Sequence, residues 1–166
     1  MIDEKIKSDE DWMNEALVLA NQARDVGEVP VGAIVVRDNV VIGHGFNQPI
    51  KTHNPAAHAE VLALQQAATQ LKNYRTIDTT MYVTLEPCSM CAGLMVHARV
   101  KRLVFGAYDA KSGAAGSVLN ILQHPQLNHQ IDVVGGVLAE ECGQMLSDFF
   151  KNRRAEKKAQ KKANVV

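Results

Sequence analysis

The strongest constraint in this 166-residue chain is a pair of short motifs almost thirty positions apart, His58-Ala59-Glu60 and Pro87-Cys88-Ser89-Met90-Cys91. Imidazole and thiolate are the donors zinc prefers, and cysteines at i and i+3 on a helix project to one side. One ion shared by both motifs requires the chain to bring two separate elements together. His58 and Glu60, at i and i+2, lie about 200° apart around a regular helix. They converge only if that helix directs its first turn at the site. Two helix N-termini aimed at one point offer free N–H groups and positive dipole ends, which favour thiolate at Cys88 and Cys91.

Three ligands (His58, Cys88, Cys91) with an open fourth position describe a catalytic zinc site, one Zn²⁺ per subunit. One neutral histidine and two thiolates balance the ion's charge, and a water in the fourth position is brought toward a pKa of about 7. Glu60 is the expected catalytic residue. It takes a proton from the metal-bound water and later returns it to the leaving group, work worth on the order of 10²–10⁴-fold. A purely structural site needs a fourth protein ligand. Cys142 lies far off in the final helix and suits a small buried apolar role, and His97, six residues past Cys91, turns away on a regular helix.

Length and a 46% hydrophobic composition fit one globular domain over residues 1–166. The charged start, Met1 to Lys7, lacks the apolar core of a signal peptide, and no apolar run approaches the roughly 20 residues that span a bilayer. Three cysteines, two of them in the Cys-x-x-Cys pair, argue against a disulfide framework and for a reduced, cytoplasmic setting without a membrane partner. Net charge is zero, but its distribution is uneven. Residues 151–162 hold seven basic side chains and one acid, a net of +6, leaving 11 basic and 17 acidic residues elsewhere, a net of −6. Screening confines each patch to its own neighbourhood, so a basic tail on an acidic body can still bind a polyanion.

Local patterns predict the element order. Ser8 caps a helix whose Trp12, Met13, Ala16, Leu17, Ala20 and Ala23 recur at helical spacing, with Gly27 as its stop. Val31–Val36 and Val40–Phe46 read as a hairpin around Asp38-Asn39. A loop punctuated by Pro49 and Pro55 precedes a helix over 57–71. A strand over 80–85, a helix over 88–99 and a strand over 102–105 follow. The segment 109–117 reads as a loop, 118–123 as a short helix, 131–134 as a strand and 138–162 as a long final helix. Strands alternating with helices in the second half predict a parallel region covered on both faces, and the hairpin makes the sheet mixed.

The His-x-Glu and Pro-Cys-x-x-Cys signature resembles that of the zinc-dependent nucleobase deaminases of the cytidine/deoxycytidylate deaminase superfamily. The likeness runs from about Asp11 to Lys162 and is carried also by Val29-Pro-Val-Gly-Ala-Ile, Leu85-Glu-Pro-Cys, Cys91-Ala-Gly and Asp109-Ala-Lys-Ser-Gly-Ala-Ala-Gly-Ser. These resemble the bacterial branch that converts adenosine to inosine at the wobble position of tRNA. The resemblance implies a cytidine-deaminase-like three-layer α/β/α sandwich with a mixed central sheet of about five strands. It also implies a homodimer and a tRNA anticodon stem-loop as partner. By position it assigns Asn47 to hydrogen-bond a flipped nucleotide, the Ala59 N–H to face the base and Val29 to wall the pocket. Tyr108 departs from the arginine that some relatives carry before Asp109, which bears on how this loop grips RNA.

Asp109 could contact the substrate ribose, whose 2′-hydroxyl distinguishes RNA from DNA, or serve as an ordinary loop residue. Phe149 and Phe150, followed by Lys151, Arg153 and Arg154, combine stacking surface with phosphate-binding charge, and Lys111 adds a cation in the 109–117 loop. Met90, Leu94 and Met95 fit core or dimer contacts equally. His44, His53, His124 and His129 are given no catalytic role. Two other functions stay open: a deaminase of a free base or nucleoside, and a non-catalytic zinc-stabilised RNA-binding module.

Overall fold

In the computed structural model, which describes residues 5–165, the first ordered feature is a capped helix. The outermost residues of the expected domain and of its charged start, Met1–Glu4 and Val166, lie outside the described residues. In α1 (Asp9–Asp25) the Ser8 hydroxyl accepts the Asp11 N–H at 3.1 Å, and the Asp11 carboxylate accepts the Ser8 N–H at 2.9 Å. This reciprocal box satisfies two donors that the helix cannot, and such caps contribute about 0.5–2 kcal/mol. Trp12, Met13, Ala16, Ala20 and Ala23 form its buried stripe, as their spacing predicted.

Strands β1 (Gly32–Arg37) and β2 (Val40–Phe46) pair antiparallel across Asp38 and Asn39, whose φ values of 50° and 60° make the mirror-image turn that matches strand twist. The loop beyond β2 contains a one-turn helix absent from the sequence reading, α2 (Pro49–Thr52). Proline sits at its first turn, where a missing N–H costs nothing. The buried Glu28 carboxylate accepts the Lys51 N–H there at 2.7 Å. Then come α3 (Ala59–Leu71), β3 (Thr80–Leu85), α4 (Ser89–His97), β4 (Arg102–Ala107), β5 (Asp132–Gly135) and α5 (Ala139–Ala163).

The five strands form one sheet in the order β2-β1-β3-β4-β5, antiparallel through β2, β1 and β3 and parallel through β3, β4 and β5. Period-two alternation sends neighbouring side chains to opposite layers. Ala33, Val35, Met81, Val83, Leu103 and Phe105 meet α3 and α4; Ile34, Val36, Tyr82 and Val104 meet α1 and the start of α5. The result is the expected three-layer α/β/α sandwich with a mixed five-stranded sheet.

The short helix expected over 118–123 does not form. The N–H groups of Val118 and Leu119 turn back to the Gly113 carbonyl, Ile121 N–H bonds Ala114, and Gly116 N–H bonds Leu119. Six residues of helical propensity are too few to compete with a loop whose amides already have partners. Met95 is core, whereas Met90 is 41% exposed, which separates two residues that the sequence left equivalent. Among the described residues no helix is long and apolar enough to cross a membrane.

Candidate active site

The site is built by the starts of two helices on one side of the sheet. His58 is the N-cap of α3, with extended backbone (φ −77°, ψ 152°), and Cys88 is the N-cap of α4 (φ −74°, ψ 175°). Neither side chain caps its own helix, so both are free to turn into the space between them. Each backbone carbonyl already accepts the first helical bond, from Leu62 and Ala92. The first-turn convergence that the His58/Glu60 spacing required is therefore realised.

Close packing sets where α3 begins. A Cβ on Gly43 would lie 2.2 Å from the Ala63 carbonyl oxygen, and one on Gly45 would lie 2.7 Å from that of Ala59. Only glycine lets the helix backbone settle this closely onto β2. At the helix start, the Ala59 N–H donates to Asn47 Oδ1 at 2.9 Å. The carboxamide of Asn47 thus caps α3 from the end of β2, and among the described residues its Nδ2 has no hydrogen-bond partner. Upstream, Asn54 Oδ1 accepts the Ala56 N–H and Gln48 N–H bonds the Ala57 carbonyl, fixing the approach to His58.

The His58 Nδ1 lies 3.7 Å from Cys88 Sγ and 3.6 Å from Cys91 Sγ, and the three donor atoms lie within 4.8 Å of one another. This trio could hold a metal ion. Hydrogen bonds from the Cys91 thiol and the His58 ring hold the Cys88 thiol down to about 4. Cys91 keeps its proton, pushed up by the bond it donates to the Cys88 thiolate and by burial. The same thiolate raises His58 above the ordinary imidazole value. Binding of a cation by this trio would release the protons that Cys91 and His58 hold here.

Glu60 is 4% exposed, and burial pushes its carboxyl up to about 7, opposed by a bond to its own N–H at the helix start. The nearby Cys88 thiolate raises it further, while His58 and Cys91 pull it down. A carboxyl poised near neutrality is suited to both accept and return a proton. Cys142 is buried on the opposite side of the sheet and His97 is exposed at the end of α4, so neither joins the trio. His129 Nε2 bonds the Val100 carbonyl oxygen at 2.7 Å, a structural role.

The other expected residues sort into two surfaces. Val29, Asp109, Lys111 and Arg154 line one groove of about 750 Å³, together with Leu85, Tyr108 and Phe150. Phe149 and Arg153 face away from it, beside Arg24 and Gly27, with the Arg153 guanidinium 5.3 Å from the Phe149 ring centre. Lys151 is exposed. Tyr108 packs edge-on against Phe105, ring centres 5.0 Å apart. Asp109 Oδ1 accepts the N–H groups of Lys111 and Ser112, and Oδ2 accepts the Ser112 hydroxyl. The larger concavity, about 950 Å³ beside Arg24, Glu140 and Phe149, includes none of the trio.

Sequence reasoning missed the role of Glu86. It is 2% exposed and accepts hydrogen bonds from Asp109 N–H, Ala115 N–H, Ser117 N–H and the Ser117 hydroxyl. A carboxylate beside Pro87, between a strand and the Cys-x-x-Cys helix, was the one available signal.

The MafB19-like deaminase family model matches residues 7–154. A tRNA-specific adenosine deaminase of Haemophilus influenzae is 51% identical over 95% of this chain and 92% of its own length. The Bacillus subtilis protein of that name is 47% identical over 93% and 96%. Among solved structures, one from work on A-to-I editing by tRNA:A34 deaminases at the wobble position of transfer RNA superposes with a TM-score of 0.79. It is 38% identical, covering 81% of this chain and 98% of that one. With this fold, this His/Cys/Cys trio and relatives this similar along nearly their whole length, the chain belongs to the MafB19-like deaminases and, among them, to the tRNA-specific adenosine deaminases.

Proposed function

We propose that this protein hydrolytically deaminates adenosine to inosine at the wobble position of tRNA, with one zinc ion per subunit held by His58, Cys88 and Cys91. The observation that carries the chemistry is the geometry of the trio. Zinc bond lengths of 2.0–2.1 Å to nitrogen and about 2.3 Å to sulfur, at a tetrahedral angle, separate the two donors by roughly 3.6 Å. The His58–Cys88 and His58–Cys91 separations of 3.7 and 3.6 Å match that edge. A bound zinc ion supplies the Lewis acidity that makes water nucleophilic at neutral pH. Glu60 carries the protons, from the attacking water to a purine ring nitrogen and then to the leaving ammonia. Its burial and raised carboxyl value support both transfers.

In this reading Asn47 uses its unpartnered Nδ2 to donate to the substrate nucleotide while its Oδ1 holds Ala59. Ala59 then borders the base through its backbone, and Val29 walls the pocket. Asp109 faces the ribose. Lys111, Lys151, Arg153 and Arg154 meet phosphates, and Phe149 offers stacking surface. The name shared by the relatives and the basic end of α5 support RNA over a free base. We read residues 1–166 as one deaminase domain that works as a homodimer in the cytoplasm, with 41%-exposed Met90 on α4 suited to subunit contact.

The test is turnover by zinc-loaded protein on an anticodon stem-loop bearing wobble adenosine, beside free adenosine, cytosine and guanine, with products weighed by mass spectrometry. Inosine formed only in the stem-loop, and lost in Glu60→Ala, is the expected result. Turnover of a free base instead would overturn the tRNA assignment and keep the chemistry. Zinc bound with no turnover anywhere would make the protein a binding module. Sedimentation at micromolar concentration checks the dimer.

A further inference from the structure

We propose that Glu86 is a positioning residue that ties the substrate-facing loop 109–117 to the metal-ligand end of β3, and so sets affinity for the RNA without entering the chemistry. The proposal rests on the tRNA reading above.

Glu86 lies two residues before Cys88 and follows the last residue of β3. Its own N–H is fixed by the Ala107 carbonyl at 2.8 Å. Its buried carboxylate has no ion-pair partner among the described residues. Oε1 accepts the Asp109 N–H at 3.2 Å and the Ser117 hydroxyl at 2.5 Å; Oε2 accepts the N–H groups of Ala115 and Ser117, both at 3.1 Å. All four donors come from one loop and reach both of its ends. Convergent donors of this kind stabilise a buried anion much as a nest of amides does. From the other side, the Pro87 carbonyl accepts the Ala114 N–H at 2.8 Å.

The loop is shaped around this carboxylate. A Cβ on Gly113 would lie 2.3 Å from Glu86 Oε2 and 2.6 Å from the Asp109 carbonyl, so no other residue fits there without displacing the anchor. Asp109 to Ser112 form the outward part of the loop and line the groove with Val29, Phe150 and Arg154. The groove wall and the Cys88 turn therefore hang from consecutive residues of one strand end. Holding a loop in its bound shape in advance reduces the ordering cost of binding. Glu86 acts through that loop, not on the reacting atoms.

Glu86→Gln keeps the shape and must turn an NH₂ toward N–H donors, whereas Gly113→Ala attacks the same contact from the loop. Both variants, with Glu86→Asp retaining the charge, would be compared with the parent as zinc-loaded protein on the wobble-adenosine stem-loop. Metal content and amide hydrogen exchange would be measured alongside. The expected result for Glu86→Gln and Gly113→Ala is full zinc content, a KM raised about tenfold and kcat within about threefold of the parent. Exchange would quicken at Asp109, Ala115 and Ser117 but not in α3 or α4. Glu86→Asp should recover part of the lost affinity. An unchanged KM overturns the proposal, as does kcat or zinc content falling with exchange unchanged in the loop. If the parent itself fails to turn over the stem-loop, the functional reading falls and takes the affinity claim with it. Exchange alone then decides whether Glu86 anchors the loop.

Discussion

The wall that carries His58 and Cys88 and the wall that carries Asp109 and Arg154 are held by opposite means. The first is backbone against backbone: two glycines of β2 admit α3, an asparagine caps it, and the trio and Glu60 follow from where two helices begin. The second is one buried carboxylate gripping a loop, followed by a helix that leaves the body. From Lys151 onward α5 is exposed apart from a half-buried Arg153. Chemistry needs groups fixed within fractions of an ångström. Recognition of a long polyanion tolerates distributed charge that acts over a Debye length. On the proposed function, the difference in construction matches that difference in tolerance.

The sharpest way to separate the walls is Glu60→Gln, which removes the proton carrier and leaves the glycine packing and the loop alone. We expect kcat to fall on the order of 10²–10⁴-fold with stem-loop affinity and zinc content unchanged. Loss of zinc instead would mean that Glu60 helps to hold the trio. Gly45→Val tests whether close packing places the first wall, because its Cβ meets the Ala59 carbonyl and Leu62 Cβ within 2.8 Å. Overpacking of this kind costs about 1–3 kcal/mol. Thermal denaturation should show that loss, with kcat falling more than affinity.

Truncation after Phe150 addresses the second wall alone. It removes all seven basic residues of 151–162. RNA affinity should weaken and the slope of log K against log salt should shrink by about 1–2, each lost phosphate contact being worth roughly 0.7–0.9. The thermal midpoint should stay put, and an unchanged slope would show the tail to be inert.

The smallest effect concerns the sheet that both walls share. Asp9 takes a bidentate bond from Arg102 at 2.7 and 2.8 Å and the Tyr82 hydroxyl at 2.9 Å. The Arg102 hydrogen bonds hold its carboxyl below the ordinary value of 3.8. A depressed carboxyl adds stability that is present above its unfolded pKa and is lost as pH falls through the folded one. Asp9→Asn should cost about 1 kcal/mol at pH 7. The gap from the parent should begin to close below about pH 4 and vanish once the pH is below the depressed folded value. A gap that persists in acid would assign the effect to packing.

Much of this was legible in the sequence. Periodicity and turn chemistry predicted α1, the hairpin, α3 and α4, because each is set by contacts a few residues apart, and the alternation of strands with helices predicted that the sheet is mixed. The donor types at His58, Cys88 and Cys91, with an acid two residues after the histidine, already pointed to a catalytic metal site, and the resemblance supplied the reaction and its class. Tertiary structure alone decided the rest. It turned 118–123 from a helix into turns, since amides there found partners across the loop. It decided which groove each of Phe149 and Phe150 lines, because that depends on how α5 lies against the rest of the chain. It also gave Glu86 its task, which no local pattern could reveal. A carboxylate's partners there lie 23 to 31 residues away, and only the fold determines which donors arrive.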